Sequence, residues 1–455
     1  MKKNASARSV SKRRDIDMLH GSLADKILLF ALPLAVTGVL QQLFNATDVA
    51  IVGQLVGSDA MAAVGSNAPV IGLLVNLFVG VSLGANVVIS RCTGMGNQKA
   101  ISRGVHTAIL VSLISGALLA VFGTLVSRPL LTMMGVPDQV FPMALSYLRI
   151  YMAGMPLILL YNYESAIFRS QGDTRTPLFC LIVAGGLNIG LNIFFIRVFH
   201  MTADGVALAT VISNGVSALL LFLFLLRSET ATRIRFSEFR IDRSLLRQMM
   251  AIGLPAGLQG MMFSLSNMTI QSSINSLGPA VMAACSAAFN LEILLYFPIN
   301  AFGQACTTFI GQNIGAGQKD RCKLVIRYSL LMGLVISAVL SVLMLLFRMP
   351  ALRLFNSQEE VLAYGAQRLL IIIPFEALDL IMEIFSGTLR GFGHSMQPAL
   401  LSLFGICGVR IIWVHTWFKA HPTFFNLMAI YPTSWVITAA ILVICYFLMR
   451  KKLYA

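Results

Sequence analysis

The segment from Lys26 to Val56 places the strongest constraint on how this chain can fold. It reads KILLFALPLAVTGVLQQLFNATDVAIVGQLV and is apolar for more than the roughly 20 residues that a helix needs to cross a bilayer. It carries Pro33 near its start and Asp48 deep inside. A carboxylate at membrane depth is costly unless it is protonated, paired or hydrated. We therefore favour a proton or cation site at Asp48 over an acid that only packs the helix bundle.

The rest of the chain is equally apolar, which excludes a soluble domain. Of its 455 residues, 57% are hydrophobic and only 12% are charged, whereas soluble domains average about 25% charged residues. Apolar runs predict an all-α polytopic membrane protein with twelve spans, because strands would need the alternating pattern of a closed barrel. The predicted spans are 24–53, 61–90, 104–127, 141–165, 175–198, 203–227, 245–273, 280–310, 325–347, 361–387, 397–418 and 424–449.

The positions of the charged residues and cysteines predict the membrane orientation and argue against several kinds of binding site. Lys and Arg concentrate in the even-numbered loops and both tails, so the positive-inside rule predicts that both termini are cytoplasmic. Because the net charge of +15 lies in short loops, it does not indicate nucleic-acid binding. The first residues are basic and lack the apolar core of a signal peptide. The seven cysteines are scattered without a CxxC motif, so neither a disulfide framework nor a metal site is expected.

The two halves of the sequence repeat one another across a charged break at residues 228–244. The matching segments lie 221 or 222 residues apart and are Leu32-Pro33 with Leu254-Pro255, residues 57–63 with 278–284, 94–96 with 315–317, and 169–177 with 390–398. Six spans in each half give both halves one topology, related by an axis along the membrane normal, with a site at their interface. The predicted organisation is a basic cytoplasmic tail (1–23), an N-lobe (24–227), a cytoplasmic linker (228–244), a C-lobe (245–449) and a short cytoplasmic tail (450–455).

The order of these motifs resembles a known transporter family. A Pro and an Asp in the first span are followed by VGQLVGSDAMAAVGS, then RSQGDTRTP after the fourth span and IGQNIGAGQ after the eighth. This order is similar to that of bacterial multidrug and toxic compound extrusion (MATE) transporters of the NorM/DinF kind, over residues 24–449. The resemblance implies a V-shaped pair of six-helix lobes that exports amphipathic, often cationic drugs in exchange for H⁺ or Na⁺.

Asp48 has polar neighbours that fit such a coupling site. Asn45 lies one helical turn away, and the fifth and sixth spans contribute Asn188, Asn192 and Thr210. In archaeal-type relatives, the resemblance implies an ion site made by the first-helix Asp, an Asn and an Asp on the fifth helix, and a Thr on the sixth. Asn192 stands where that pattern has Asp, so a two-carboxylate Na⁺ site is weakened. An interhelical hydrogen bond is the alternative role of Asn188 and Asn192.

The second half carries its own acids. Glu376, Asp379 and Glu383 share one face of the tenth span and predict attraction of cationic cargo, with Asp379 matching an acid of the NorM branch. The seventh span lacks the acid of that branch, and Glu292 is a possible substitute. The competing interpretation is structural pairing of the tenth-span acids with Arg410 or His415, which we expect to serve as counter-ions.

Two further sets of residues complete the candidate sites. Pro33 predicts a hinge, because it removes one backbone hydrogen bond from the first helix. Met261, Met262 and Met268 on the seventh span are candidates for a substrate surface, since flexible methionines suit promiscuous binding.

These observations favour a monomeric secondary-active exporter without a catalytic site or cofactor, in the cytoplasmic membrane. No GxxxxGK[ST] loop is present, so the chain has no ATP site of its own and H⁺ or Na⁺ would drive transport of small amphipathic or cationic drugs. A lipid-linked saccharide flippase of the same superfamily is the first alternative, although the acids in the spans predict a net acidic interior that favours cations. A membrane enzyme or sensor is the second, and no nucleophile–base constellation supports it.

Overall fold

The computed structural model describes residues 16–454, which form helices joined by turns and loops and contain no β-strand. The helices of the first half are α1 (Ala24–Leu55), α2 (Ser58–Gly94), α3 (Gln98–Met133), α4 (Phe141–Ala153), α5 (Met155–Gln171), α6 (Arg175–Phe199) and α7 (Ala203–Leu226). Those of the second half are α8 (Arg243–Asn275), α9 (Pro279–Gly315), α10 (Lys319–Leu346), α11 (Arg348–Arg353), α12 (Glu359–Ile372), α13 (Glu376–Gly391), α14 (Met396–Ser402), α15 (Val409–Trp413), α16 (Phe424–Met428) and α17 (Ile430–Tyr454).

The predicted spans coincide with helical segments, but not every segment is a single long helix. Among the described residues, ten helical segments are long and apolar enough to cross a membrane, and α4 with α5 makes an eleventh across a 48° bend. The bend lies just before Pro156, whose nitrogen has no hydrogen to donate. The predicted span 361–387 is broken between α12 and α13 by a turn that contains Pro374. The polytopic all-α fold is thus confirmed, whereas a count of twelve spans stays a prediction.

The internal repeat recurs in the backbone. Helices α2 and α9 are each 37 residues long, and each follows a glycine with positive φ. At Gly172 and Gly393 the chain turns left-handed after α5 and α13, with φ of 95° and 81°, which favours glycine at both positions. The matched left-handed glycines are Gly57 with Gly278, Gly96 with Gly317, and Gly172 with Gly393.

The two halves meet along helices that approach each other closely. A Cβ added at Gly80 of α2 would lie 2.1 Å from the backbone nitrogen of Gly257 on α8, so these helices touch backbone to backbone. The contact between α2 and α9 is reciprocal: a Cβ at Gly94 would lie 1.9 Å from the Gln312 carbonyl oxygen, and one at Gly315 2.2 Å from that of Arg91. Small residues allow this approach, which lets helices pack tightly in lipid.

Hydrogen bonds close the molecule at the end where α2 and α9 terminate. Arg91 donates to the Gly391 carbonyl oxygen at 3.0 Å, and Gln312 donates to that of Ser170 at 2.7 Å, so both bonds join the two halves. The segment before α1 crosses the same end, where Asn313 donates to the carbonyl oxygen of the buried Met18 at 3.2 Å. The interface between the halves is therefore sealed at this end.

The break between α7 and α8 packs against α3. Arg103 forms an ion pair with Asp242 at 3.0 Å, and Ser102 donates a hydrogen bond to Glu238 at 2.7 Å. Hydrogen bonds from Ser102 and Arg235 stabilise the carboxylate and lower the pKa of Glu238. The contacts of Glu238 are therefore retained at neutral pH and are lost as the pH falls through that lowered pKa.

Candidate functional site

A cavity of about 630 Å³ lies between the two halves. Helices α1, α2, α4, α5, α6 and α7 of the first half line it, together with α8, α9 and α13 of the second. On α1 the lining extends from Leu34 to Asp48, which corresponds to roughly 21 Å at 1.5 Å per helical residue. The site therefore lies at the interface that the repeat predicted.

Asp48 is held by side chains from α6 and α7. It is only 6% exposed, and Asn192 donates to its Oδ1 at 2.6 Å while Thr210 lies 3.1 Å from its Oδ2. Asn192 donates its second amide hydrogen to Asn188 Oδ1 at 3.3 Å, since the two residues are four apart on one face of α6. Asn188 in turn donates weakly to Thr210 at 3.5 Å. Four of the five predicted residues thus form one network around a single carboxyl group.

Asn45 lies outside this network. It is exposed and lines the cavity one turn before Asp48, and no hydrogen bond to Asp48 is found among the described residues. The Oδ1 atom of Asn192 is buried and has no partner within residues 16–454. The network therefore contains one acid, neutral donors and an unused acceptor.

Glu292 has a partner that the sequence analysis did not identify. Arg368 of α12 donates from Nε to Glu292 Oε1 at 2.7 Å and from a terminal nitrogen to Oε2 at 2.8 Å. Arg368 also lies 5.3 Å from the ring centre of Tyr431. Neither Glu292 nor Arg368 lines the cavity, and the guanidinium group balances the carboxylate charge. The position of Arg368 inside a predicted span was the available signal for this buried ion pair.

The three acids of α13 have different surroundings. Glu383 lines the cavity, whereas the buried Glu376 and the half-buried Asp379 do not. The expected close pairing is not found: Arg410 donates to Asn267 Oδ1 at 3.1 Å and acts on Asp379 only as a longer-range charge, and the exposed His415 hydrogen-bonds within its own helix. Within the described residues, neither forms an ion pair with an α13 acid at 4.0 Å or less.

The candidate methionines do not line this cavity. Helix α8 contributes Ala256, Gln259, Gly260 and Phe263, while Met261, Met262 and Met268 lie outside the lining. Their role in binding stays a prediction.

A row of polar residues on α9, none of them predicted as a site residue, also faces the cavity. Tyr296, Asn300 and Gln304 follow one another at intervals of four and line the cavity. Asn300 donates to the Tyr296 hydroxyl at 3.3 Å, and Gln304 donates to Asn300 Oδ1 at 2.6 Å. Arg169 of the first half donates to Gln304 Oε1 at 3.1 Å. The row therefore connects the second half to the first.

Two arginines balance the acids of the cavity. Its lining contains Asp48 and Glu383, and also Arg169 and Arg390. The expectation of a net acidic interior was therefore wrong for this cavity. Both arginines lie outside the predicted spans 141–165 and 361–387, at helix ends next to loops, so hydropathy did not place them in the interior.

Comparisons with known proteins agree on one family. The MatE family model matches residues 33–194 and again residues 255–414, so it begins at Pro33 and at Pro255. The chain is 30% identical to "Probable multidrug resistance protein YoeA" of Bacillus subtilis, over 93% of this chain and 94% of that protein. It is 25% identical to "Probable multidrug resistance protein NorM" of Thermotoga maritima, over 85% and 84% of the two chains.

Solved structures show the same fold. One is described as the outward-facing conformation of a multidrug resistance MATE family transporter of the MOP superfamily. It superimposes with a TM-score of 0.87 over 96% of this chain and 97% of that one, at 22% identity.

Proposed function

From the premise that the chain belongs to the MatE family of multidrug efflux transporters, we propose that it exchanges amphipathic or cationic organic compounds for H⁺ or Na⁺. As a family member it is a multi-pass membrane transporter rather than an enzyme. We place it in the cytoplasmic membrane as a monomer with both termini in the cytoplasm. Residues 24–227 and 245–449 would act as the two lobes, joined by the linker 228–244. No cofactor is needed, because the ion gradient supplies the energy.

The Asp48 network is the observation that carries this proposal. Asp48 lines the cavity, and its observed hydrogen-bond partners, Asn192 and Thr210, are neutral. Neutral donors stabilise a carboxylate without fixing its charge as a cation would. Burial favours the uncharged acid, so the two protonation states can lie close in energy. Such a group can take up a proton from one side and release it to the other.

Thr210 allows the network to accept either protonation state. Its hydroxyl lies 3.1 Å from Asp48 Oδ2 and 2.9 Å from the Val206 carbonyl oxygen, and it has one hydrogen to donate. When Asp48 is ionised, that hydrogen is donated to the carboxylate. When Asp48 is protonated, it donates to Thr210, whose hydrogen turns to Val206. Asp48 Oδ2 and the Thr210 hydroxyl group are therefore hydrogen-bonded to each other in either state.

Na⁺ is the alternative coupling ion at the same place. A hard cation prefers oxygen ligands, and the unpartnered Asn192 Oδ1 lies within the network. Asn45, Asn188 and Thr210 could supply further oxygen ligands. A single carboxylate neutralises one Na⁺, so either ion is compatible with one-for-one exchange.

Pro33 would let α1 respond to the bound ion. The helix runs unbroken from Ala24 to Leu55, and Thr37 donates its hydroxyl to the Pro33 carbonyl oxygen at 2.7 Å. Pro33 removes one backbone hydrogen bond, so bending there costs less than elsewhere. Solved MATE structures are described as straight and as bent. We propose that protonation of Asp48 shifts α1 between two such shapes.

Cargo would bind in the cavity between the lobes. Glu383 contributes a negative charge there directly, whereas Glu376 and Asp379 would act on cations only at longer range. Glu292 would contribute little, since Arg368 balances it. The methionines 261, 262 and 268 would have to turn towards the cavity in another conformation.

Transport by purified protein in liposomes tests this function. Ethidium movement is measured with an imposed pH gradient or an imposed Na⁺ gradient, each applied separately, with Asp48→Asn as the matched control. We expect one gradient to drive wild-type ethidium transport against its concentration difference, and Asp48→Asn to abolish that drive. Failure of both gradients, together with translocation of a fluorescent lipid-linked saccharide, would favour the flippase alternative instead.

A further inference from the structure

Two arginines, Arg169 and Arg390, give the closed end of the cavity a positive charge. The proposed exchange of an ion at Asp48 makes no use of this charge. Arg169 lies two residues before the end of α5, and Arg390 one residue before the end of α13. Residues close to both arginines form hydrogen bonds at the sealed end. Gly172, which follows α5, accepts one from Ile16, and Gly391, which ends α13, accepts one from Arg91. Both arginines therefore lie beside the sealed end of the molecule.

The cavity consequently has two ends of different charge. Helix α1 begins at the sealed end, where the segment before it contacts Asn313, and Asp48 lies 24 residues further along. At 1.5 Å per residue this places Asp48 roughly 36 Å from the start of α1. The arginines thus lie at the closed end, and Asp48 lies toward the opposite end.

Neither guanidinium group forms an ion pair at 4.0 Å or less within residues 16–454. Arg169 donates to Gln304 Oε1 at 3.1 Å and Arg390 donates to Gln259 Oε1 at 2.7 Å, and both acceptors are uncharged amides. The Nε atoms of both arginines are buried without a partner within residues 16–454. The two terminal nitrogens of a guanidinium group carry four N–H donors, and the described residues accept one hydrogen bond from them on each arginine. Glu383, two turns from Arg390 on the same helix, attracts its guanidinium group at longer range but forms no ion pair with it at 4.0 Å or less.

We propose that Arg169 and Arg390 form a binding site for the oxyanion of a cargo molecule, a carboxylate or a phosphate. The two residues are equivalent in the internal repeat, so the duplication brings one guanidinium group to the cavity from each half. Guanidinium groups bind such oxyanions through paired, charge-assisted hydrogen bonds. Gln304 and Gln259 orient the two side chains from α9 and α8. This deepens the proposed function, on which it rests, by naming zwitterionic compounds as cargo.

A zwitterion fits the charge distribution better than a simple cation does. Its anionic group binds at the closed end, while its cationic part extends toward Glu383 and Asp48. A compound with only a positive charge gains nothing from the arginines and is repelled by them at close range.

A matched pair of dyes tests the oxyanion site without any gradient. Rhodamine 110 carries a free carboxylate, and rhodamine 123 is its methyl ester. Binding of each dye to purified protein in lipid nanodiscs is followed by fluorescence anisotropy. We expect Arg169→Gln and Arg390→Gln each to weaken rhodamine 110 binding about tenfold, since one charge-assisted contact is lost. Binding of rhodamine 123 should be unchanged or tighter.

Two control variants separate the oxyanion contact from general effects. Arg390→Lys keeps the charge but loses the paired geometry, and should fall between wild type and Arg390→Gln. Arg197→Gln removes a positive charge from an exposed residue of α6 that does not line the cavity, and should change neither dye. Equal losses for both dyes, or no loss in either arginine-to-glutamine variant, would overturn the proposal.

Competition on the wild-type protein keeps the test independent of variant folding. Benzoate or phenyl phosphate should displace rhodamine 110, and their relative potency tells a carboxylate site from a phosphate site. Benzyl alcohol should not displace the dye, and equal displacement by it contradicts an oxyanion site. Because these assays measure binding alone, loss of gradient-driven ethidium transport would count against the coupling and leave this site standing.

Discussion

Asp48 in the first half and Glu292 in the second are carboxylic acids buried to nearly the same degree, with 6% and 9% exposed. Asp48 is held by an amide and a hydroxyl, whereas Glu292 receives two hydrogen bonds from one guanidinium group. A cation partner fixes a carboxylate in its charged form, and neutral donors leave both forms accessible. The charge of the partner, more than burial, therefore determines which acid can exchange an ion.

The largest expected effect is on folding, at the buried ion pair. Arg368→Ala leaves Glu292 buried without its partner, and should lower the free energy of unfolding by about 3–5 kcal/mol. Thermal unfolding in detergent measures this loss. The double variant Glu292→Leu/Arg368→Met removes both charges and should recover most of the stability. If Arg368→Ala unfolds like the wild type, Glu292 is not fixed by this pair and the comparison with Asp48 fails.

The next effect is on coupling, at Asp48. Asp48→Asn mimics the protonated acid permanently, so it should insert and unfold like wild type while gradient-driven ethidium efflux falls to background. Efflux from proteoliposomes, normalised to inserted protein, measures this. Glu292→Gln serves as the matched acid-to-amide control and should retain uphill transport per folded molecule. Efflux near the wild-type rate in Asp48→Asn would move the coupling role to the acids of α13.

A second acid beside Asp48 should sharpen the contrast. Asn192→Asp places two carboxylates within hydrogen-bonding reach of each other, which strengthens the attraction for a cation. We expect apparent Na⁺ affinity to rise about tenfold, about 1.4 kcal/mol. The shift of the unfolding temperature with Na⁺ concentration measures it, and Asn188→Asp tests the neighbouring position. An unchanged Na⁺ response would indicate that the network is not a cation site.

A smaller effect distinguishes the acids of α13. Glu383→Gln removes a charge from the cavity lining and should weaken binding of tetraphenylphosphonium about threefold, because a partly hydrated charge attracts weakly. Asp379 and Glu376 lie outside the cavity lining, so Asp379→Asn and Glu376→Gln should weaken tetraphenylphosphonium binding less. Equilibrium binding to purified protein gives the three values. A greater loss in Asp379→Asn would mean that cargo binds elsewhere.

The smallest effect is expected at Pro33. Pro33→Ala restores a backbone donor and stiffens α1, so transport should slow about two- to threefold while ligand binding is retained. Initial rates in proteoliposomes and dye affinity are measured on the same preparation. Ala31→Gly, also in the first third of α1, is a control for local helix stability. A loss of binding in Pro33→Ala would argue that the proline shapes the site rather than the motion.

The sequence predicted the helices and much of the Asp48 site because both follow from local patterns. Apolar runs locate the spans, and a spacing of four places Asn188 and Asn192 on one face of α6. The partner of Glu292 lies 76 residues away, and only tertiary packing brings Arg368 to it. Hydropathy also could not show that Arg169 and Arg390 line a cavity, because it does not indicate whether a residue at a helix end faces solvent or the protein interior.

Asn192 stands where an acid would give Asp48 a second carboxylate as its neighbour. This substitution limits the number of ions that one transport cycle can exchange. If Asp48 is the only titrating group, each cycle exchanges one proton, and one pH unit supplies about 1.4 kcal/mol, a tenfold concentration ratio. Exchange for a monovalent cation moves no net charge, so the membrane potential adds nothing. Exchange for a zwitterion moves one charge, and 100 mV then contributes about 2.3 kcal/mol. The same single carboxyl group would thus concentrate a zwitterion about fiftyfold further than a cation.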